Sequence, residues 1–103
     1  MTILNKDNFK TEIEEYKGVA VIDLYADWCG PCRMLAPTLD ELEREMPDVK
    51  FCKINVDNEP ELTAMFKVES IPMIAVVKDN VFSDVSVGYV PKSNLERLIS
   101  KYR

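Results

Sequence analysis

The chain has 103 residues, 47% of them hydrophobic, which suits one domain built on one core and leaves nothing for a second module. Its net charge of −5 comes from 18 acidic and 13 basic residues spread without a run of Lys or Arg, which argues against nucleic-acid binding. No run of about 18 apolar residues occurs, and the start Met1-Thr2-Ile3-Leu4 lacks a basic stretch followed by an apolar one, so a soluble, cytoplasmic monomer with no membrane partner is expected.

In chain order, residues 2–4 are a candidate first strand. Phe9, Ile13 and Tyr16 make an apolar stripe at helical spacing, which predicts a first helix over 7–17 with Asn5 or Asp7 as cap and Gly18 as stop. Residues 19–26, Val-Ala-Val-Ile-Asp-Leu-Tyr-Ala, are almost continuously apolar and predict a strand buried on both faces. After the turn Cys29-Gly30-Pro31-Cys32, the positions Leu35, Leu39, Leu42 and Met46 predict a helix over 31–46, bent at Pro37 and stopped at Pro47-Asp48. A second parallel strand follows over 49–56. Asp57-Asn58-Glu59-Pro60 turns into a short helix carrying Leu62, Met65 and Phe66. Residues 73–77 and 81–87 read as a hairpin about Asp79-Asn80, and Pro91 opens a last helix with Leu95, Leu98, Ile99 and Tyr102 on its buried stripe. The fold class that results is α/β, a central mixed sheet with helices on both faces.

The chemistry concentrates at the cysteines. Two thiols three positions apart, on a turn entering a helix, can open and close one small ring. Three cysteines leave one over in any disulfide framework, so the Cys29/Cys32 pair is read as working rather than stapling, and Cys52 as a packing thiol in a strand. Exchange needs a thiolate. Cys29 lies just outside the helix, where free N–H groups and the helix dipole favour an anion, and Pro31 occupies the first turn without wasting a donor. Cys32 sits one turn inside. Gly30 and Pro31 bring no charge, Arg33 adds some positive potential, and the chain has no histidine, so a reductant is favoured over an oxidase or isomerase. A closed zinc site would need carboxylates or a second chain beside these thiols, and no metal is expected. Asp23 interrupts the apolar strand at a cost in burial, an inconsistency that marks function. Taken alone, Trp28 could be a packing aromatic and Ile71-Pro72 a loop.

Val21-Ile22-Asp23-Leu24-Tyr25-Ala26, Trp28-Cys29-Gly30-Pro31-Cys32, Ala36-Pro37, Lys53-Ile54-Asn55-Val56-Asp57, Ser70-Ile71-Pro72 and Val87-Gly88 follow one another in order. On these residues the chain resembles the thioredoxin family from about Phe9 to Tyr102. The resemblance implies a thioredoxin-like three-layer fold and a protein-disulfide reductase that binds no cofactor itself, recharged by a flavin-containing thioredoxin reductase using NADPH. It implies that Cys29 attacks a target disulfide and Cys32 resolves the mixed disulfide, with Asp23 relaying the Cys32 proton through water and Lys53 moderating Asp23. It also implies a substrate rim of Trp28, with Asp57 accepting its indole N–H, a cis Ile71-Pro72 peptide whose Ile71 backbone pairs with an extended substrate, and Gly88 leaving room beside it. Tyr25 stands where the family often has Trp, Ser70 where it often has Gly, and Tyr89 where a small residue is common. All three bear on partner preference. The Asp79-Asn80 turn lacks the usual Gly. A redox-independent binding subunit using the Trp28, Ile71 and Pro72 surface is the competing reading.

Overall fold

Val19–Tyr25 forms the central strand, β2, and every residue of it except Tyr25 is buried. The computed structural model describes all 103 residues. It sets β2 between the parallel strand β3 (Lys50–Asn55) and the antiparallel strand β4 (Met73–Lys78). The short strand β1 (Thr2–Ile3) joins parallel to β3, and β5 (Val81–Val87) joins antiparallel to β4, giving the order β1-β3-β2-β4-β5.

Alternation along the strands sorts the core into two layers. Ala20, Ile22 and Leu24 of β2, with Cys52, Ile54 and Ala75 beside them, pack against Phe9, Ile13, Leu62 and Phe66. Leu62 belongs to helix α2 (Pro60–Met65) and Phe66 caps it. Val19 and Val21, with Phe51, Ile74 and Val76, pack on the other face. Their partners are Leu35, Leu39 and Leu42 of α1 (Gly30–Glu45) and Leu95 and Ile99 of α3 (Lys92–Ser100). Position 23 therefore falls on the α1 face, in step with 19 and 21.

The first helix differs most from expectation. In place of a helix over 7–17 there is a π-helical turn, Lys10–Glu14, entered through turns. The Glu15 N–H donates to the Lys10 carbonyl at 2.9 Å, a wider loop than an α-helix makes, while Phe9 and Ile13 still reach the core. Phe9, and neither Asn5 nor Asp7, is the cap residue of this π-helical turn, with no side-chain hydrogen bond; Asn5 instead closes the turn before it, where its Oδ1 accepts the N–H groups of Asp7 and Asn8, and Asn8 Oδ1 accepts the Asn5 N–H at 2.8 Å. Helix α1 runs as one element through Pro37 and begins at Gly30, one residue before the expected start. Pro91 caps α3 instead of opening it.

The missing glycine of the hairpin turn has a physical reason. Asp79 and Asn80 both take left-handed conformations, φ 49° and 64°, as a two-residue hairpin requires, and these two residue types tolerate them. Asp79 also has a second task. Its Oδ1 accepts the Gly18 N–H at 2.8 Å and its own N–H donates to the Gly18 carbonyl at 3.0 Å, tying the turn to the entrance of β2.

Pairing of β4 with β5 shifts between Val76 and Val77, which leaves Ser83 as the extra residue of a bulge. The Tyr102 hydroxyl lies 3.2 Å from the Ser83 carbonyl and donates to Asp84 Oδ2 at 2.8 Å, so the end of α3 is tied to β5 through a polar tip on an otherwise packed ring. Tyr102→Phe is expected to lower the urea midpoint slightly with no loss of redox activity, read from urea melts and disulfide-reduction rates.

Candidate redox site

The Cys29 and Cys32 sulfurs are bonded, with Cα atoms 5.2 Å apart, so the ring is closed. Cys29 is the cap of α1, with φ −86° and ψ 111°, and its Sγ accepts the Cys32 N–H at 3.2 Å. Gly30 opens the helix, and Pro31 occupies its first turn, where no carbonyl waits for a donor. Neither cysteine is open to solvent in the closed ring: Cys29 is 4% exposed and Cys32 5%. Both pack with Ala26, covered by Tyr25, Val56 and Ile71, which shields Cys29 although it lies outside the helix. What separates the two is electrostatic. Cys29 Sγ receives the N–H of the first helical turn, and a negative charge there would be stabilised by it and by the helix dipole.

Around the ring, Trp28 is 69% exposed and its Nε1 donates to Asp57 Oδ2 at 2.9 Å. The Ile71-Pro72 peptide is cis, and the Ile71 carbonyl oxygen lies 4.0 Å from Cys29 Sγ. Gly88 donates its N–H to the Pro72 carbonyl at 2.8 Å. Its φ of +86° demands glycine, whereas an added Cβ would meet nothing within 4 Å. The requirement at Gly88 is thus its own backbone, not crowding within the chain. Ser70 and Tyr89 are exposed next to Ile71 and Gly88 in sequence, and neither hydrogen-bonds the sulfurs.

Beneath the ring lies a cleft of about 220 Å³ whose walls include Asp23, Cys32, Tyr25, Lys53, Arg33 and Asp40. Asp23 is 6% exposed and its Oδ1 is buried without a hydrogen-bond partner. Burial pushes its pKa from 3.8 up to about 7, against a smaller lowering by Lys53. Lys53 stands opposite Asp23 in the β2/β3 register, yet the two form no ion pair, and the Lys53 ammonium sits 5.6 Å from the centre of the Tyr25 ring. That cation–aromatic contact was not foreseen from sequence. Positions 23, 25 and 53 share a face by strand alternation, and this was the available signal; Asp40, one turn beyond Ala36 on α1, carried none.

Cys52 faces the opposite layer, among Ala20, Ile22 and Ile54. It is fully buried, and desolvation pushes its thiol up to about 12, the state of an inert packing cysteine. No group of three or more His, Cys, Asp or Glu side chains is placed to hold a metal ion, and no helix is long and apolar enough to cross a membrane.

A bonded Cys-Gly-Pro-Cys pair at the mouth of a helix, facing a cis proline, is joined by a sequence match: the thioredoxin family model covers residues 1–101. The chain belongs to the thioredoxin family. It is 41% identical over 103 residues to thioredoxin of Bacillus subtilis (strain 168), covering 99% of both chains. To thioredoxin of Chlamydia trachomatis serovar D it is 38% identical over 101 residues, covering 98% of this chain and 97% of that one. Thioredoxin 1 of Synechococcus elongatus is 39% identical over 95 residues, with 91% and 89% covered. As a thioredoxin-family thiol-disulfide oxidoreductase, the chain has its redox centre in Cys29 and Cys32 themselves.

The Asp23 carboxyl binds its proton more tightly folded than unfolded, so its contribution to stability is complete below pH about 4 and is lost as the pH rises to about 7. Converting that shift at 1.36 kcal/mol per unit gives a loss on the order of 4 kcal/mol above pH about 7. Urea melts of the oxidised protein from pH 4 to 8 should show wild type falling relative to Asp23→Asn through this window. A constant difference between the two would assign the titration elsewhere.

Proposed function

We infer that this chain reduces disulfides in target proteins, with Cys29 as the attacking sulfur. The observation that carries the reading is the Cys32 N–H aimed at Cys29 Sγ, which favours the thiolate on that sulfur alone. Ile71 supports it, since it lies outside β4, which starts at Met73, and its backbone groups are free of the ladder where an extended target strand can pair beside Cys29. The exposed Trp28, steadied by Asp57, and the Ser70 and Tyr89 side chains extend that rim and give it the means to select partners.

In the reduced protein, the Cys29 thiolate attacks one sulfur of a target disulfide. A bond forms between Cys29 and that sulfur, and the other target sulfur leaves as a thiolate and takes a proton from water. The Cys32 thiol then gives its proton to the Asp23 carboxylate across the shared cleft and attacks Cys29 Sγ. The Cys29–target bond breaks, the second target sulfur departs as a thiolate and takes a proton from water, and the ring seen here closes, two electrons having passed to the target. A base with its pKa near 7 is matched to that proton transfer at neutral pH. Lys53, across the register, tempers Asp23. Two electrons must return to open the ring, and a flavin-containing thioredoxin reductase drawing on NADPH is the proposed source, in the cytoplasm.

Insulin reduction with dithiothreitol, and then with NADPH and a thioredoxin reductase, tests the activity and the electron source together. Cys32→Ser should accumulate mixed disulfides with targets and Cys29→Ser should form none; equal trapping by both would reverse the assignment. Cys52→Ala should leave turnover within about twofold of wild type, and a large loss in a folded variant would give Cys52 a redox role.

A further inference from the structure

A buried carboxyl facing a lysine in register would ordinarily attract its ammonium. Here the attraction is diverted. The Lys53 ammonium lies over the Tyr25 ring, 5.6 Å from its centre, and Asp23 Oδ1 is left buried without a partner in the same cleft. A ring face within about 6 Å of an ammonium holds it by its quadrupole. Side chains 23 and 25 project from one face of β2, and Lys53 projects beside both from β3.

We propose that Tyr25 is a positioning residue for the exchange reaction: its ring holds the Lys53 ammonium off the Asp23 carboxyl and so keeps that buried acid able to carry a proton. The proposal rests on the reading of Asp23 as the group that serves Cys32. Without the ring, the ammonium would swing to the unpartnered oxygen, Asp23 would stay ionised and paired, and its capacity to take the Cys32 proton at neutral pH would fall.

The other groups around the cleft do not substitute for this contact. Arg33, on α1, donates to the Asp27 carbonyl at 2.9 Å, which turns its guanidinium toward the loop between β2 and α1. Asp40 on α1 and Asp27 in that loop are acids and repel a second negative charge. The Met1 amino group pairs with Glu43 at 3.2 Å, and β4 offers Asp23 only Ile74 in register. Cys32 is in the ring. Lys53 is therefore the one mobile cation facing Asp23, and Tyr25 is the group that restrains it.

The direct test is a carbon-13 carboxyl titration of Asp23 by NMR in the oxidised protein. Tyr25→Leu should lower the Asp23 midpoint by about one pH unit, while Tyr25→Phe, which keeps the ring, should leave it in place. Opening the cleft to water could produce the same drop, so both substitutions are repeated in a Lys53→Met background, where the effect of Tyr25→Leu should vanish. An unmoved midpoint in Tyr25→Leu, or an equal drop in the Lys53→Met background, overturns the proposal. In wild type, the Lys53 ε-protons should be shifted upfield by the ring, and their absence from that position overturns it without any variant. Single-turnover closure by Cys32 against pH distinguishes the underlying reading: if the carboxyl midpoint moves and the rate profile does not, Asp23 is not the relay, while the coupling of Tyr25, Lys53 and Asp23 stands.

Discussion

Burial of β2 on both faces is the constraint from which the site follows. A strand covered by two helical layers has no solvent side on which to discharge a polar residue, so Asp23 has to face one layer or the other, and alternation with Val19 and Val21 turns it toward α1. The same strand leads through a short loop into α1. Cys29 is thereby fixed at the helix mouth and Cys32 one turn in, above the carboxyl. Sulfur pair and buried acid share one origin: two ends of a short segment whose direction the sheet dictates.

The electrostatics of the site are a balance of unequal terms. Desolvation of Asp23 outweighs the attraction of Lys53, because the ammonium remains at a distance and partly exposed while the carboxyl is almost sealed. The sulfur side works in the opposite sense. There the Cys32 N–H offers a fixed positive end that would require no movement if charge appeared on Cys29. One sulfur is prepared for a charge and one carboxyl is prepared to do without.

Much of this was legible in the residues. The almost continuously apolar run of 19–26, the helical spacing after Cys32 and the hairpin flanking Asp79-Asn80 each specify their element through a pattern the backbone geometry enforces. Asp23 announced itself by breaking such a pattern. The π-helical turn did not, because Phe9, Ile13 and Tyr16 fit an ordinary helix equally well, and the choice depends on how the chain is docked by Asn5 and Asn8. Nor did the sealing of Cys29, which depends on Ile71 and Val56 arriving from distant segments. The placement of Lys53 over Tyr25 is likewise a matter of rotamers, which spacing does not encode.

The sheet also divides the cysteines into two populations. Cys29 and Cys32 belong to the small buried cluster at the helix mouth, and Cys52 lies in the layer beneath the opposite face, with its thiol held protonated by its surroundings. An alkylating reagent offered to the reduced, folded chain meets the helix-mouth pair first, at Cys29 where a thiolate is favoured, and can reach the third only when β2 and β3 part. The slow consumption of that one thiol is a clock for opening of the core, carried within the molecule and independent of its electron traffic.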